Sequence, residues 1–430
     1  MSTGATPPLP NRARAASLMA DAGIDAVVAT SPANIRYLTG YWCWLAPLFR
    51  EFMVSPGGSG ELVQENYALL PREGAEALVV EPYWALNAAA GDGWVDDVRV
   101  AGGADFAPAE AGAALAPELA PVLDLLGADW PADPAEALAS ALEERRLARS
   151  RLGVELDGLP PARVERLRRA LPHATLLDCS NLLRLVRAVK TEGQIELLAR
   201  AAAIAEEAAA GVVAGMEEGA TLSEVADAFR AAVAREGADL DHFSISLDGL
   251  GFATRGDRPL RRDAAHYFDW GCILAGWFSD TGTTLATGEL DGAALDEHAA
   301  VRDAVATGAA ALRPGVRGSA VQAEMRGLLA GRGITACFPH GHGLGIEIRD
   351  YPVLVADTGA VIRDDCVEVG ADLALEPDMV VNLEVCVLTP GARSVTCERT
   401  FVVTGDGSRP LVEQDRESPL AAGRATAGAR

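Results

Sequence analysis

Over the first hundred residues the hydrophobic positions follow two rhythms. "ARAASLMADAG" spaces its apolar residues at helical intervals and stops at Gly23, the residue type that most readily takes the left-handed turn ending a helix. "IDAVVAT" follows as an unbroken apolar run of strand length. "PANIRYLTGYWCW" reads as a turn leading into a second strand, and "GELVQ" and "ALVVEP" as two more, with Ala/Leu/Glu-rich helical segments between and after them. Strands alternating with helices predict a small α/β domain. It spans residues 11–185 and closes near "LLDCSNLLRLVRAVKTEGQ", after a flexible arm over residues 1–10.

From Thr191 the rhythm changes. "EGQIELLARAAAIAEEAAAGVVAGM" keeps helical spacing throughout, and "TLSEVADAFRAAVAREG" opens with Thr221 and Glu224 placed as a capping box. "AVRDAVATGAAALRPG" and "SAVQAEMRGLLAGRG" add two helices, while "HFSISLDG", "HYFDWGCILAGWFSDTGTTLATG", "MVVNLEVCVLTPG" and "SVTCERTFVVTGDG" read as strands and hairpins. Helix pairs joined to antiparallel strands predict an α+β domain over residues 186–415, with 416–430 a flexible tail. Two helix pairs, each followed by strands, hint at an internal duplication.

At 430 residues two domains are the natural expectation, and 49 % hydrophobic with 23 % charged residues describes a globular chain. A formal net charge of −24 argues against nucleic acid and against an anionic membrane surface as partners. No apolar run is long enough to span a bilayer, and the N-terminus lacks the apolar core of a signal peptide. Seven scattered cysteines without a C-x-x-C pair read as reduced thiols, and therefore as a cytoplasmic protein.

The chemistry sits on the strands of the second domain. In "FDWGCILAGWFSDTGTT", Asp269 and Asp280 lie 11 residues apart across a segment whose middle suits a hairpin. Carboxylates facing each other across a strand pair would be about 5 Å apart. They repel unless something positive lies between them. Glu384 in "VNLEVCV" and Glu398 in "VTCERTFVVT" are acidic residues inside apolar runs, where an unpartnered charge costs on the order of several kcal/mol. "FPHGHGLGIEIRD" adds His340 and His342 among glycines that let the backbone come close. Singly, each of these residues also reads as a turn, strand-edge, salt-bridged or loop group. Together, four carboxylates and an imidazole make a site for two divalent ions.

These motifs resemble the creatinase/prolidase/methionine-aminopeptidase superfamily with the pita-bread fold, in its two-domain aminopeptidase P and prolidase branch. "SPANIRYLTGY" resembles the opening of that branch's α/β N-terminal domain, and "LVRAVKTEGQIELLARAA" its inter-domain junction. "FDWGCILAGWFSDTGTT" is similar to the segment carrying two metal aspartates, "GHGLGIEIRD" to the metal-histidine loop, and "NLEV" and "CERTFVVT" to the two metal-glutamate strands. The resemblance implies an α+β pita-bread catalytic domain. Its two divalent ions (Mn, Co, Zn or Fe) would be held by Asp269, Asp280, His342, Glu384 and Glu398. It also implies hydrolysis of an amide or peptide bond by a metal-bridged hydroxide, with Glu384 as proton acceptor and shuttle, and a homodimer. Trp42, Trp44, Phe49 and Phe52 in "YWCWLAPLFREFM" would supply a lid, an interface or ordinary core.

The chain departs from the pattern where the family's substrate-contacting histidines stand. Seven residues after His342 is Arg349, and "DGLGFATRGDRPLRRDAA" carries no histidine before the first aspartate. Arg349 suits a substrate with an anionic group, or a structural pairing with Asp350 or Glu347. His340 is a candidate for the second layer of the site and His242 for the pocket wall; both count as possible substrate contacts. His266 reads as structural. Three readings follow: an Xaa-Pro peptidase taking a short peptide, a C–N hydrolase or lyase of a small anionic metabolite on the same scaffold, and a binding module that kept only the fold.

Overall fold

The computed structural model describes residues 7–43, 52–54, 60–62, 65–91, 93–104, 116–127, 129–413 and 418–423. The chain divides into two compact units, Met1–Val186 with Ile362–Val369, and Arg187–Val361 with Gly370–Arg430.

The first unit is built on a mixed six-stranded sheet. Its order is Val98–Val100, Ala77–Val80, Tyr67–Pro71, Ala26–Ala29, Arg151–Val154 and Thr175–Asp178. Every residue of Ala26–Ala29, Tyr67–Pro71 and Ala77–Val80 is buried, which is why these strands read as unbroken apolar runs and not as alternations. The Pro134–Glu144 helix lays Ala135, Leu138, Ala141 and Leu142 into the same core.

Pro32–Thr39 corrects an expectation: it is an α-helix, not a turn and a strand. The Ser31 hydroxyl accepts from the Asn34 N–H at 3.2 Å, Pro32 occupies the first turn where its missing N–H costs nothing, and Gly40 closes the helix at φ 73°. Caps at both ends outweigh the strand preference of Ile35 and Tyr37. Of the aromatic stretch that follows, Trp44 and Phe49 lie outside the described residues. Trp42 is half-buried and Phe52 opens a short Phe52–Val54 strand.

In the second unit one large sheet runs in the order Phe252–Ala253, Asp239–Ser246, Ala265–Leu274, Thr281–Ala286, Arg393–Val403, Val380–Thr389, His340–Gly343 and Asp350–Leu354. The helices are Glu192–Ala214, Leu222–Arg235, Gly292–Ala311 and Gly318–Gly331, and Thr221 with Glu224 forms a capping box. Leu420–Ala421, inside the segment expected to be a flexible tail, pairs in parallel with Leu285–Ala286.

The two-residue period of the strands decides which face does chemistry. Val381, Leu383, Val385 and Val387 pack with Val301, Ala304 and Val305 of one helix and Val321 and Met325 of another. Each such side chain contributes roughly 1.5–3 kcal/mol when fully buried. Val395, Cys397, Phe401 and Val403 join the same core from the neighbouring strand. Asn382 and Glu384, and Glu398 and Thr400, are thereby turned to the opposite face.

Candidate metal centre

The polar face gathers its groups from adjacent strands. In Ala265–Leu274, Phe268 stacks on Trp270 with ring centroids 4.3 Å apart and meets Phe243 edge-on at 5.2 Å. That apolar face sends Tyr267 and Asp269 to the other side. The chain turns back through Ala275 and Gly276, both at positive φ as a tight hairpin requires, into Trp277–Phe278. Asp280 sits between that short strand and Thr281–Ala286. The aspartates are not a facing cross-strand pair: Asp269 stands opposite Gly282, and Asp280 arrives from the irregular residues just before it.

Two glycines leave room for the arrangement. A Cβ at Gly282 would stand 2.9 Å from Glu398 Oε2, and one at Gly271 would stand 2.5 Å from His242 Cε1. A side chain at Gly282 would push Glu398 out of place, and one at Gly271 would meet the Ser279 carbonyl oxygen at 2.3 Å as well as the imidazole. Further along the sheet, His340 lies opposite Glu384, His342 opposite Asn382, and Glu384 opposite Glu398.

The contacts form a continuous chain. His242 Nε2 is 2.9 Å from Asp269 Oδ1 and 3.4 Å from Asp280 Oδ1. His342 Nε2 is 3.3 Å from Asp280 Oδ2 and 3.6 Å from Glu384 Oε1. His340 Nε2 is 2.5 Å from Glu384 Oε1. Arg349, whose side chain is 62 % exposed, reaches the same oxygen at 3.4 Å and His340 Nε2 at 3.3 Å. Arg349 does not pair with Glu347 or Asp350; those two carboxylates bind Arg187 instead. His266 is a structural residue, buried and set against the carbonyls of Ser246 and Arg261.

Four partners were not anticipated from the sequence. Tyr267 and Ser244 donate hydroxyls to Asp269 Oδ2 at 2.8 and 3.2 Å, Asp241 Oδ2 lies 2.7 Å from His242 Nδ1, and the Asn382 amide donates to Glu398 Oε1 at 2.5 Å. Tyr267 and Asn382 stand two residues before Asp269 and Glu384, so the strand period could have placed them on the polar face.

Crowding raises two of the carboxyls and both imidazoles, and lowers a third carboxyl. Burial raises Asp269, with the charge of Asp280 adding to it against the pull of His242. Burial also pushes Glu398 well up, followed by the charges of Asp280, Asp269 and Glu384. Asp280 goes the other way: His242 and His342 outweigh its burial and hold it below the ordinary range. Burial opposes the charged forms of both imidazoles, yet neighbouring carboxylates raise His342 and hold His242 well above its usual value. Carboxylates forced together in this way are relieved by a divalent cation.

The donors fit such a cation. Glu398 Oε2 is buried without a hydrogen-bond partner among the described residues, and the ligating atoms of His242, Asp269 and Asp280 lie within 4.8 Å of one another. Carboxylate oxygens with imidazole nitrogens suit Mn, Co, Zn or Fe.

Known proteins carry the same organisation. Residues 196–405 match the model of metallopeptidase family M24, and residues 12–189 that of the creatinase/prolidase N-terminal domain. An uncharacterized peptidase of Bacillus subtilis, YqhT, is 26 % identical over 274 residues, covering 62 % of this chain and 74 % of that protein. An Xaa-Pro dipeptidase of Pyrococcus horikoshii is 23 % identical over 273 residues, again 62 % of this chain and 74 % of the relative. The X-Pro aminopeptidase structure from Thermotoga maritima superposes with a TM-score of 0.70 at 17 % identity, covering 96 % of this chain and 99 % of that one, a likeness of fold.

Proposed function

The chain belongs to metallopeptidase family M24, in the two-domain aminopeptidase P and prolidase branch, and is a metal-dependent hydrolase; from that premise we propose that it cleaves short peptides at an Xaa-Pro-like bond with two divalent ions. The observation that carries this reading is the contact chain running Asp269, His242, Asp280, His342 and Glu384, with Glu398 beside it. Asp269, Asp280, His342, Glu384 and Glu398 would hold the cations. When bound, these supply a nucleophilic hydroxide at neutral pH and polarise the scissile carbonyl.

The protein's own residues divide the remaining work. Glu384 accepts and returns the proton, and its neighbour His340, 2.5 Å from Oε1, orients the carboxylate. Arg349 stands at the exposed edge with its guanidinium over Glu384, where it can take the substrate's carboxylate in a bidentate grip. Arg187 anchors the loop that carries Arg349 by pairing with Glu347 and Asp350. Arginine holds its charge through any proton transfer, so Arg349 binds and does not act as an acid.

The test is an assay of metal-stripped protein reloaded with Mn, Co, Zn or Fe on Xaa-Pro dipeptides, longer Xaa-Pro peptides and dipeptides without proline. Metal-dependent cleavage of the Xaa-Pro substrates is the expected result. A second reading, a C–N hydrolase of a small anionic metabolite, is favoured by Arg349 at the site's edge. Metal-dependent cleavage of small N-substituted carboxylic acids with none of the peptides would select it.

A further inference from the structure

We propose that His242 is a sixth ligand, giving Nε2 to the ion that Asp269 and Asp280 hold, so that each of the two cation positions carries one imidazole. The inference rests on the two-ion reading above.

The spacing of the donors carries it. Ligands bonded at about 2.0–2.2 Å to one ion stand roughly 3.0–3.5 Å from each other. His242 Nε2 stands 2.9 and 3.4 Å from one oxygen each of Asp269 and Asp280. His342 Nε2 stands 3.3 and 3.6 Å from Asp280 and Glu384. The two imidazoles thus flank Asp280 symmetrically, one on each of its oxygens. His340 does not share this position, because its ring nitrogen meets Glu384 and Arg349.

The surroundings of His242 are those of a ligating imidazole. Asp241 Oδ2 lies 2.7 Å from Nδ1, an outer carboxylate that fixes the tautomer and aims Nε2 at the site. The ring lies across Gly271, where the register of the two strands shifts between residues 271 and 272 and a Cβ would meet the Ser279 carbonyl oxygen at 2.3 Å and the imidazole at 2.5 Å. The bulge and the missing side chain together create the space the ring occupies. An added nitrogen moves the donor set toward borderline ions such as Zn, Co and Fe, and away from harder Mn.

Two measurements on the full chain test this. X-ray absorption of the zinc-loaded wild type should count about one imidazole per metal ion. A count of about one imidazole for every two ions overturns the proposal. Chelator-stripped protein titrated with Co(II), followed by metal content and visible absorption, should bind two ions. His242→Gln should weaken one of them on the order of a hundredfold and alter its absorption bands, and Asp241→Asn should weaken the same ion less, about tenfold. Unchanged affinity and spectrum in His242→Gln sinks the proposal while leaving the two-ion reading intact. A wild type that binds fewer than two ions removes both. Should His242→Gln fail to fold, the imidazole count on the wild type still decides.

Discussion

Two acidic clusters in the catalytic unit show how burial separates structure from chemistry. Around Arg187, which is 2 % exposed, Glu347 and Asp350 meet a guanidinium whose charge is permanent. Around Asp280 the close basic partners are the imidazoles of His242 and His342. Three more carboxylates crowd beside it with a guanidinium, that of Arg349, only at the exposed edge, and Glu398 keeps a buried oxygen unpartnered among the described residues. The first cluster carries a fixed positive charge of its own, although Asp350 Oδ2, like Glu398 Oε2, is buried without a hydrogen-bond partner among the described residues. The second relies on titratable imidazoles and one arginine at its exposed edge. A buried acid paired to arginine holds a fold together, whereas buried acids left to histidine leave room for a cation.

The largest effect that could break this contrast is on turnover. Glu384→Gln should lower kcat on the order of 10³-fold while thermal unfolding of the variant stays close to wild type. Near-native turnover with metal bound would show that Glu384 is not the proton carrier. The converse belongs to the other cluster. Asp350→Ala leaves the Arg187 charge buried with one partner fewer and should cost about 3–5 kcal/mol in urea unfolding. If that variant unfolds like wild type and loses metal instead, the two clusters are not separable.

His298 sharpens the comparison, as a buried imidazole with no carboxylate partner among the described residues. Its Nδ1 meets the Thr284 hydroxyl at 2.9 Å, and burial, with the charge of Arg302 adding, lowers it to about 4. A base depressed in the folded state binds fewer protons there than in the unfolded chain, so its stability is fully present above about pH 6.5 and is lost as pH falls toward 4. Between pH 7 and 5 the wild type should lose about 1–2 kcal/mol more than His298→Gln in paired urea titrations. Equal losses would show that His298 is not the group responsible. The smallest effect expected is on Arg349→Ala, about a tenfold rise in KM with kcat little changed, since an exposed guanidinium adds binding and not proton transfer. A matching fall in kcat would place Arg349 in the chemistry itself.

Much of this was legible in the chain. Glu384 and Glu398 stood out in the sequence as acidic residues inside apolar strand-like runs, and the two-residue period of those strands puts them on the face away from the core. The Thr221 capping box was readable from two residues three apart. Pro32–Thr39 is a helix where a turn and a strand were expected, and its caps, Ser31 and Gly40, are the local signals that mark it. A regular hairpin would set Asp269 and Asp280 face to face, but Asp280 lies in an interruption between two strands and Asp269 stands opposite Gly282.

What the sequence determined by itself was local: the period of each segment, its caps, and the donor types set on its polar face. Those follow from backbone geometry and nearest neighbours. The tertiary structure alone decided the company each group keeps. Asp241 and His242 lie beside the aspartates next to a register shift at Gly271, Asn382 meets Glu398 on the neighbouring strand, and Arg349 lies against Glu384 while Arg187 pairs with Glu347 and Asp350. Contacts between residues far apart in the chain depend on strand order and register, and a shift of a single residue changes every partner.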